Sequence, residues 1–237
     1  MNQLKLSASA LHDLQHIAQF QQRKTSMNNE KGYFCKSRKG IKEFEPIFIK
    51  WHEIMDTYAE KTGGDYFHFY RERENVSALS AAAWRNNYVA MSEFSHEKSR
   101  KGHKNEKYTG RCDLYIGADK VDFYIEAKHE FISLNTDKEW SERLKGTRSL
   151  AISDAKSSGH SEDYSVLGVT FFGFYIPKNH QSKINSAIDK LTKYLENKPF
   201  DSAGWYFPNT QRSDQGFQKK ILPGCIMVVE NLSYNTN

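Results

Sequence analysis

One uninterrupted apolar run constrains the fold of this chain more than any other feature. Residues 165–176 contain the run VLGVTFFGFYI, which is mostly β-branched and aromatic and is followed by Pro177. A strand that is apolar at nearly every position, instead of at alternate positions, is typical of a central strand covered on both faces. The run therefore predicts a sheet with this strand in its interior.

Helical periodicity on both sides of this strand predicts the elements that cover it. The apolar residues at helical spacing are Trp140, Leu144, Ala151 and Ala155 before the strand, and Ile184, Ile188, Leu191 and Leu195 after it. Three extended segments precede these helices, at 88–94, 109–117 and 121–131, and the last two are joined by a short turn, which favours an antiparallel hairpin or meander. Another short helix around Val76 to Ala83 comes before them, and a last apolar strand covers 225–229. This order predicts an α/β fold with a central mixed β-sheet flanked by helices.

The first 64 residues are predicted to be a helical N-terminal addition to a core that spans 65–237. Residues 46–61 carry an apolar stripe, with Pro46 in the first turn and the pair Gly63-Gly64 as the stop signal. An earlier helix is indicated by Leu11, Leu14 and Ile17, and the polar segment 21–42 is expected to be rich in loops.

Composition narrows the class of protein. The 237 residues are 38% hydrophobic and 27% charged, which is a globular profile. No apolar run approaches the roughly 20 residues that span a bilayer, and the N-terminus lacks a signal-peptide core, so we expect a cytoplasmic protein with no membrane association. The three cysteines lie far apart without zinc-ligand spacing, and we interpret them as ordinary thiols.

The positive charge of the chain is concentrated in one stretch. The net charge is +5, and residues 98–111 alone carry an equal excess, with six basic residues against Glu106. The basic residues are Lys98, Arg100, Lys101, Lys104, Lys107 and Arg111. Such a stretch is either a solvated loop or a phosphate-binding segment of a nucleic-acid-binding protein.

Three ionisable residues lie on the predicted hairpin next to this stretch. Glu126 and Lys128 alternate with apolar neighbours, so they share one face of their strand. A hairpin that turns at Asp119 and Lys120 places Asp113 opposite Glu126, because both pairs of residue numbers have the same sum. Two carboxylates held close together favour a hard divalent cation such as Mg²⁺, which polarises a phosphate and activates water. An adjacent ammonium stabilises developing charge, so the arrangement suits phosphodiester hydrolysis.

These residues resemble the motif of the PD-(D/E)XK superfamily, the restriction-endonuclease-like nucleases. The matching residues are Asp113 and Glu126-Ala127-Lys128, and the segment 110–113 is similar to the GRxD variant of that motif. The resemblance covers roughly 74–176. Cys112 departs from it, since many members have proline there, and a Gln-rich helical motif found in one branch is not recognisable.

The resemblance implies a restriction-endonuclease-like core and a metal-dependent nuclease. Asp113 and Glu126 are then the ligands of Mg²⁺ or Mn²⁺, Lys128 assists catalysis, and an upstream acid completes the site. We prefer Glu93 over Glu97 for that acid, because Glu93 lies in the apolar-patterned segment. The expected partner is nucleic acid, and we expect DNA more than RNA. The chain could also form a homodimer. The expected nucleic-acid-binding residues are Lys98, Arg100, Lys101, Lys104 and Arg111.

Two alternatives stay open at this point. The first is a catalytically inactive module that keeps the nuclease fold and binds DNA or forms complexes. The second is an unrelated α/β protein in which Glu126 and Lys128 form an ordinary surface ion pair.

Overall fold

A computed structural model describes residues 30–36, 41–100, 103–158, 164–197, 200–213 and 219–232. Its main elements in chain order are β1 (Lys31–Cys35), α1 (Glu45–Thr62), α2 (Glu72–Arg85), β2 (Val89–Arg100), β3 (His103–Gly117), β4 (Asp122–Ser133), α3 (Asp137–Ala155), β5 (Tyr164–Pro177), α4 (Ile184–Glu196), β6 (Ser202–Tyr206) and β7 (Lys220–Asn231). Within these ranges, no helix combines the length and the apolar character needed to cross a membrane.

The strands form one mixed sheet of seven strands in the order β1-β6-β7-β5-β4-β3-β2. β4 and β5 are parallel, and every other neighbouring pair is antiparallel. β5 is the fourth strand of the seven, so the central position predicted from its apolar run is confirmed. The predicted α/β class, with a mixed sheet flanked by helices, is confirmed as well.

Alternate residues of β5 enter two different cores. Leu167, Val169 and Phe171 pack in a core that contains the buried residues of α1 and α2. Phe172, Phe174 and Ile176 pack in a second core with Trp140 and Leu144 of α3 and the buried apolar residues of α4. Because the side chains of a strand alternate between its faces, the helices lie on both sides of the sheet, as the apolar run requires.

The N-terminal segment contains a strand that the sequence did not indicate. The predicted helix at 46–61 is α1, which ends at Gly63 in the left-handed conformation with φ of 71°. Within the stretch expected to be loop-rich, however, β1 pairs with β6 from Lys31↔Tyr206 to Cys35↔Ser202. The segment expected to be a helical addition with a loop-rich stretch therefore contributes an edge strand to the main sheet. The helix expected around Leu11 lies outside the described residues.

The basic stretch also differs from the loop that its charge suggested. β2 and β3 form a long antiparallel ribbon, and β3 pairs with β4 only from Leu114 to Gly117. In the described part of the chain, residues 95–100 and 103–111 thus pair only with each other; we call them the basic ribbon. A two-stranded ribbon leaves much of both faces to solvent, so charged residues are compatible with it, and Lys107 is paired across it with Glu97 at 2.5 Å.

Candidate active site

The site lies where β3 and β4 separate. Their backbone pairing ends at Leu114↔Ile125, in the register that the predicted turn required. Beyond that point the carboxylate of Asp113 takes the place of the missing strand neighbour, because its Oδ2 accepts a hydrogen bond of 2.7 Å from the backbone N–H of Ala127. Cys112, at the position where the PD-(D/E)XK motif often has proline, is buried, and its thiol donates to the carbonyl of Ile125 at 3.4 Å. Asp113 is thereby held against the middle residue of the Glu126-Ala127-Lys128 triplet.

Glu126 is buried, with 4% of its surface exposed. One of its carboxylate oxygens accepts two hydrogen bonds. Its Oε1 accepts from the ammonium of Lys98 at 2.6 Å and from the hydroxyl of Ser158 at 2.8 Å. Burial raises the pKa of the Glu126 carboxyl; Lys98 and Ser158 oppose that shift, and the charge of Asp113 adds to it. The Asp113 carboxylate therefore acts on Glu126 as a nearby like charge.

Lys128 lies on the same strand face and is bonded to the last turn of α3. Its Nζ donates to Oδ2 of Asp154 at 2.8 Å. Burial opposes the charge of Lys128, but Asp154, Glu72 and Asp113 together raise its pKa. Glu126 and Lys128 thus pair with other residues, and the surface ion pair between them that the second alternative assumed is not present.

Glu72 is a member of the site that sequence reasoning missed. It is the first residue of α2. Burial raises the pKa of its carboxyl group, and the charge of Lys128 partly opposes that shift. The nearby acids Asp113, Asp154 and Glu126 add to it. Glu72 also lines a cavity of about 190 Å³. The lining residues are Glu72, Arg73, Val76, Ser77, Ser92, Glu93 and Asp113. The available signal was an acid in the first turn of the helix before the meander, but its neighbours Arg71, Arg73 and Glu74 made it look like ordinary helix-end charge.

Glu93, the preferred upstream acid, lines this cavity too, but its carboxylate is shared between two arginines. Arg73 Nε lies 3.2 Å and Arg111 Nη1 2.6 Å from its two oxygens. Its backbone is in the left-handed region with φ of 53°, at the point where the β2–β3 ladder is interrupted between Ser92↔Leu114 and Phe94↔Cys112. Glu97, the alternative, lies on the basic ribbon and pairs with Lys107.

The six charged groups that interact electrostatically here carry an excess of negative charge; we call them the acidic cleft. Its members are Glu72, Asp113, Glu126, Asp154, Lys98 and Lys128. Four carboxyl groups face two ammonium groups, so the acids outnumber their cationic partners by two. Oxygen donors with that excess match the preference of Mg²⁺ or Mn²⁺. Among the described residues, no group of three or more His, Cys, Asp or Glu is already arranged around one ion position. A cation bound by Asp113 and Glu126 would complete its shell with water or phosphate oxygens.

The expected nucleic-acid-binding residues fall into different environments. Arg111 is exposed and lies beside the cleft, paired with Glu93. Arg100 and Lys104 lie on the two strands of the basic ribbon, while Lys101 lies outside the described residues. Lys98 differs from the others, because its side chain is 8% exposed and its ammonium is directed at Glu126.

Comparison with known proteins found no family model, no curated protein and no solved structure that matches this chain. The resemblance to the PD-(D/E)XK nucleases consequently depends on the residues of the motif.

Proposed function

We propose that this chain is a divalent-metal-dependent nuclease with a restriction-endonuclease-like core, which hydrolyses phosphodiester bonds of nucleic acid, with DNA as the expected substrate. The observation that carries the proposal is the position of Asp113, whose carboxylate is bonded to the backbone between Glu126 and Lys128. Glu72 lies within electrostatic reach of all three. Acids and a base of this kind, gathered from three elements at the end of a strand ladder, are typical of a catalytic site.

Each residue has a chemical role in that reaction. Asp113 and Glu126 would hold Mg²⁺ or Mn²⁺, and the bound cation polarises the phosphate and lowers the pKa of a coordinated water. Lys128 donates a hydrogen bond to the phosphate oxygen on which charge develops during attack. Glu72 is positioned to orient the attacking water or to complete the shell of the cation. The basic ribbon, including Arg111 at its end, binds the phosphates that flank the scissile bond.

A second candidate function is favoured by one specific contact. Lys98 already neutralises Glu126 at 2.6 Å in a buried setting, which is the arrangement expected if the acid has become structural. The chain would then be a catalytically inactive module that binds nucleic acid through the basic ribbon.

Incubation of the purified protein with plasmid, linear duplex and single-stranded DNA, in Mg²⁺, Mn²⁺ or EDTA, tests the proposal. Asp113→Asn keeps the shape of the side chain but removes the charge that holds the cation, so cleavage should fall by orders of magnitude. Lys128→Ala should abolish turnover and leave Mn²⁺ affinity largely intact, because the ammonium acts in the transition state. Asp119→Asn is the matched control, since Asp119 is an exposed acid at the turn of the same hairpin.

The outcomes separate the two candidates. Metal-dependent cleavage that is abolished in Asp113→Asn and retained in Asp119→Asn supports the nuclease. Cleavage that persists in Asp113→Asn or in Lys128→Ala removes that residue from the mechanism. Absence of cleavage on every substrate, together with binding that depends on the basic ribbon, favours the inactive module.

A further inference from the structure

Lys98 stands apart from the other basic residues of its ribbon. Its side chain is 8% exposed, and the side chain of its partner Glu126 is 5% exposed. Lysine is rarely buried to this degree, and removing two charges from water costs more than an isolated ion pair returns unless further bonds assist. Stability alone therefore does not explain why this ion pair is buried here.

The protein provides a fitted place for this side chain. Lys98 is opposite Tyr108 on β3, and its stem passes diagonally over Gly110, which is opposite His96. A Cβ at position 110 would come within 2.7 Å of Cδ of Lys98 and 3.2 Å of its Cε. The absence of a side chain at Gly110 leaves room for the lysine stem to run across β3 to the cleft. At its end, the hydroxyl of Ser158 shares Oε1 of Glu126 with the ammonium.

The ammonium thus neutralises the carboxylate that a cation bound in the acidic cleft would also need. A divalent cation bound to Glu126 would lie close to this ammonium, and the two positive charges repel each other strongly at such short range. Moving the lysine away is feasible, because its stem is flexible and its strand belongs to a ribbon that pairs with no further strand among the described residues.

We infer that Lys98 is a built-in counter-ion of Glu126, which a divalent cation must displace in order to bind at the acidic cleft. The inference rests on the proposed function and adds a control on its metal site. In the metal-free protein the lysine neutralises the acid and closes the site. Metal affinity in the wild type is consequently lower than the carboxylates alone would give, since part of the binding free energy is used to break the Lys98–Glu126 pair.

Titration of Mn²⁺ into the metal-free protein, followed by calorimetry, tests this inference without a cleavage assay. Lys98→Met keeps the length of the stem and removes the competing charge, so it should bind Mn²⁺ about tenfold more tightly or better, as expected for the coupling of close charge pairs. Ser158→Ala is the matched control, because it removes the neutral donor to the same oxygen and should bring no such gain. Asp113→Asn, combined with each variant, verifies that the measured ion is bound in the cleft.

Gly110→Ala provides a second route if Lys98→Met fails to fold with Glu126 left unpaired. It preserves every charge but crowds the lysine stem, so Mn²⁺ affinity should rise in the same direction. Binding that appears only in Lys98→Met or Gly110→Ala also supports the inference. Binding that depends on Asp113 but is unchanged or weakened in both variants overturns the counter-ion role and leaves the nuclease proposal standing. Failure of all proteins to bind Mn²⁺ in an Asp113-dependent way overturns both.

Discussion

At the scale of single residues, α2 carries two glutamates in its first turn that have separate tasks. Glu74 accepts a hydrogen bond of 3.1 Å from the backbone N–H of Arg71 and so caps the helix. Glu72, two residues earlier, is directed into the acidic cleft, where burial and the charges of Asp113 and Glu126 disfavour its ionised form. One acid is expected to matter for stability, and the other for function.

Replacing each glutamate separately tests whether Glu72 serves function and Glu74 serves stability. Glu72→Gln should reduce single-turnover cleavage strongly, yet leave thermal stability equal or slightly raised, because a disfavoured charge is removed. Glu74→Ala should lower the free energy of unfolding by about 1 kcal/mol because the cap is removed, with cleavage nearly unchanged. Thermal melting and cleavage rates are measured on the same preparations. Equal effects of the two variants on both quantities would contradict the separation.

At the scale of elements, the parts of the site that the sequence predicts are formed by local contacts, whereas the parts that it does not predict depend on how distant segments pair. The hairpin followed from the period of two and a turn at Asp119, and these local rules brought Asp113 to Ala127. The contact between Lys98 and Glu126 depends on where the basic ribbon leaves the sheet, which no local pattern reports. β1 was missed because five residues, KGYFC, are too few to show alternation, and its place is decided by pairing with β6.

The basic ribbon should contribute to nucleic-acid binding through residues other than Lys98, which is occupied by Glu126. The double variant Arg100→Gln, Lys104→Gln should weaken binding to duplex DNA. For every phosphate that the variant no longer neutralises, the slope of log affinity against log salt concentration should become shallower by about 0.9. The control, Lys61→Gln with Lys190→Gln, removes the same charge from exposed positions on α1 and α4. An equal decrease of slope in the control would show that only the net charge matters.

At the scale of the whole molecule, buried histidines tie the α1 and α2 layer to the sheet. His52 of α1 contacts the carbonyl of Trp205 in β6 at 3.0 Å through Nε2, and His68, just before α2, contacts that of Leu222 in β7 at 3.1 Å. Burial lowers the pKa of both to about 4, although the backbone hydrogen bond of each opposes the shift. Both rings are therefore neutral in the folded protein near neutral pH, and each donates its Nε2–H to the carbonyl.

The stability of the fold should in consequence depend on pH in a defined direction. Between the ordinary histidine pKa of about 6.5 and the folded value, the unfolded chain binds protons that the folded protein does not bind, so stability falls as pH decreases. Each histidine contributes a slope of up to about 1.4 kcal/mol per pH unit in this window. His68→Gln retains an N–H donor for Leu222 but does not titrate, so urea unfolding at a series of pH values should show a correspondingly shallower slope. His52→Gln should act in the same way, and the double variant should lack both contributions. A slope equal to that of the wild type in both single variants would mean that these rings titrate alike in the folded and unfolded chains, and that their burial does not lower their pKa.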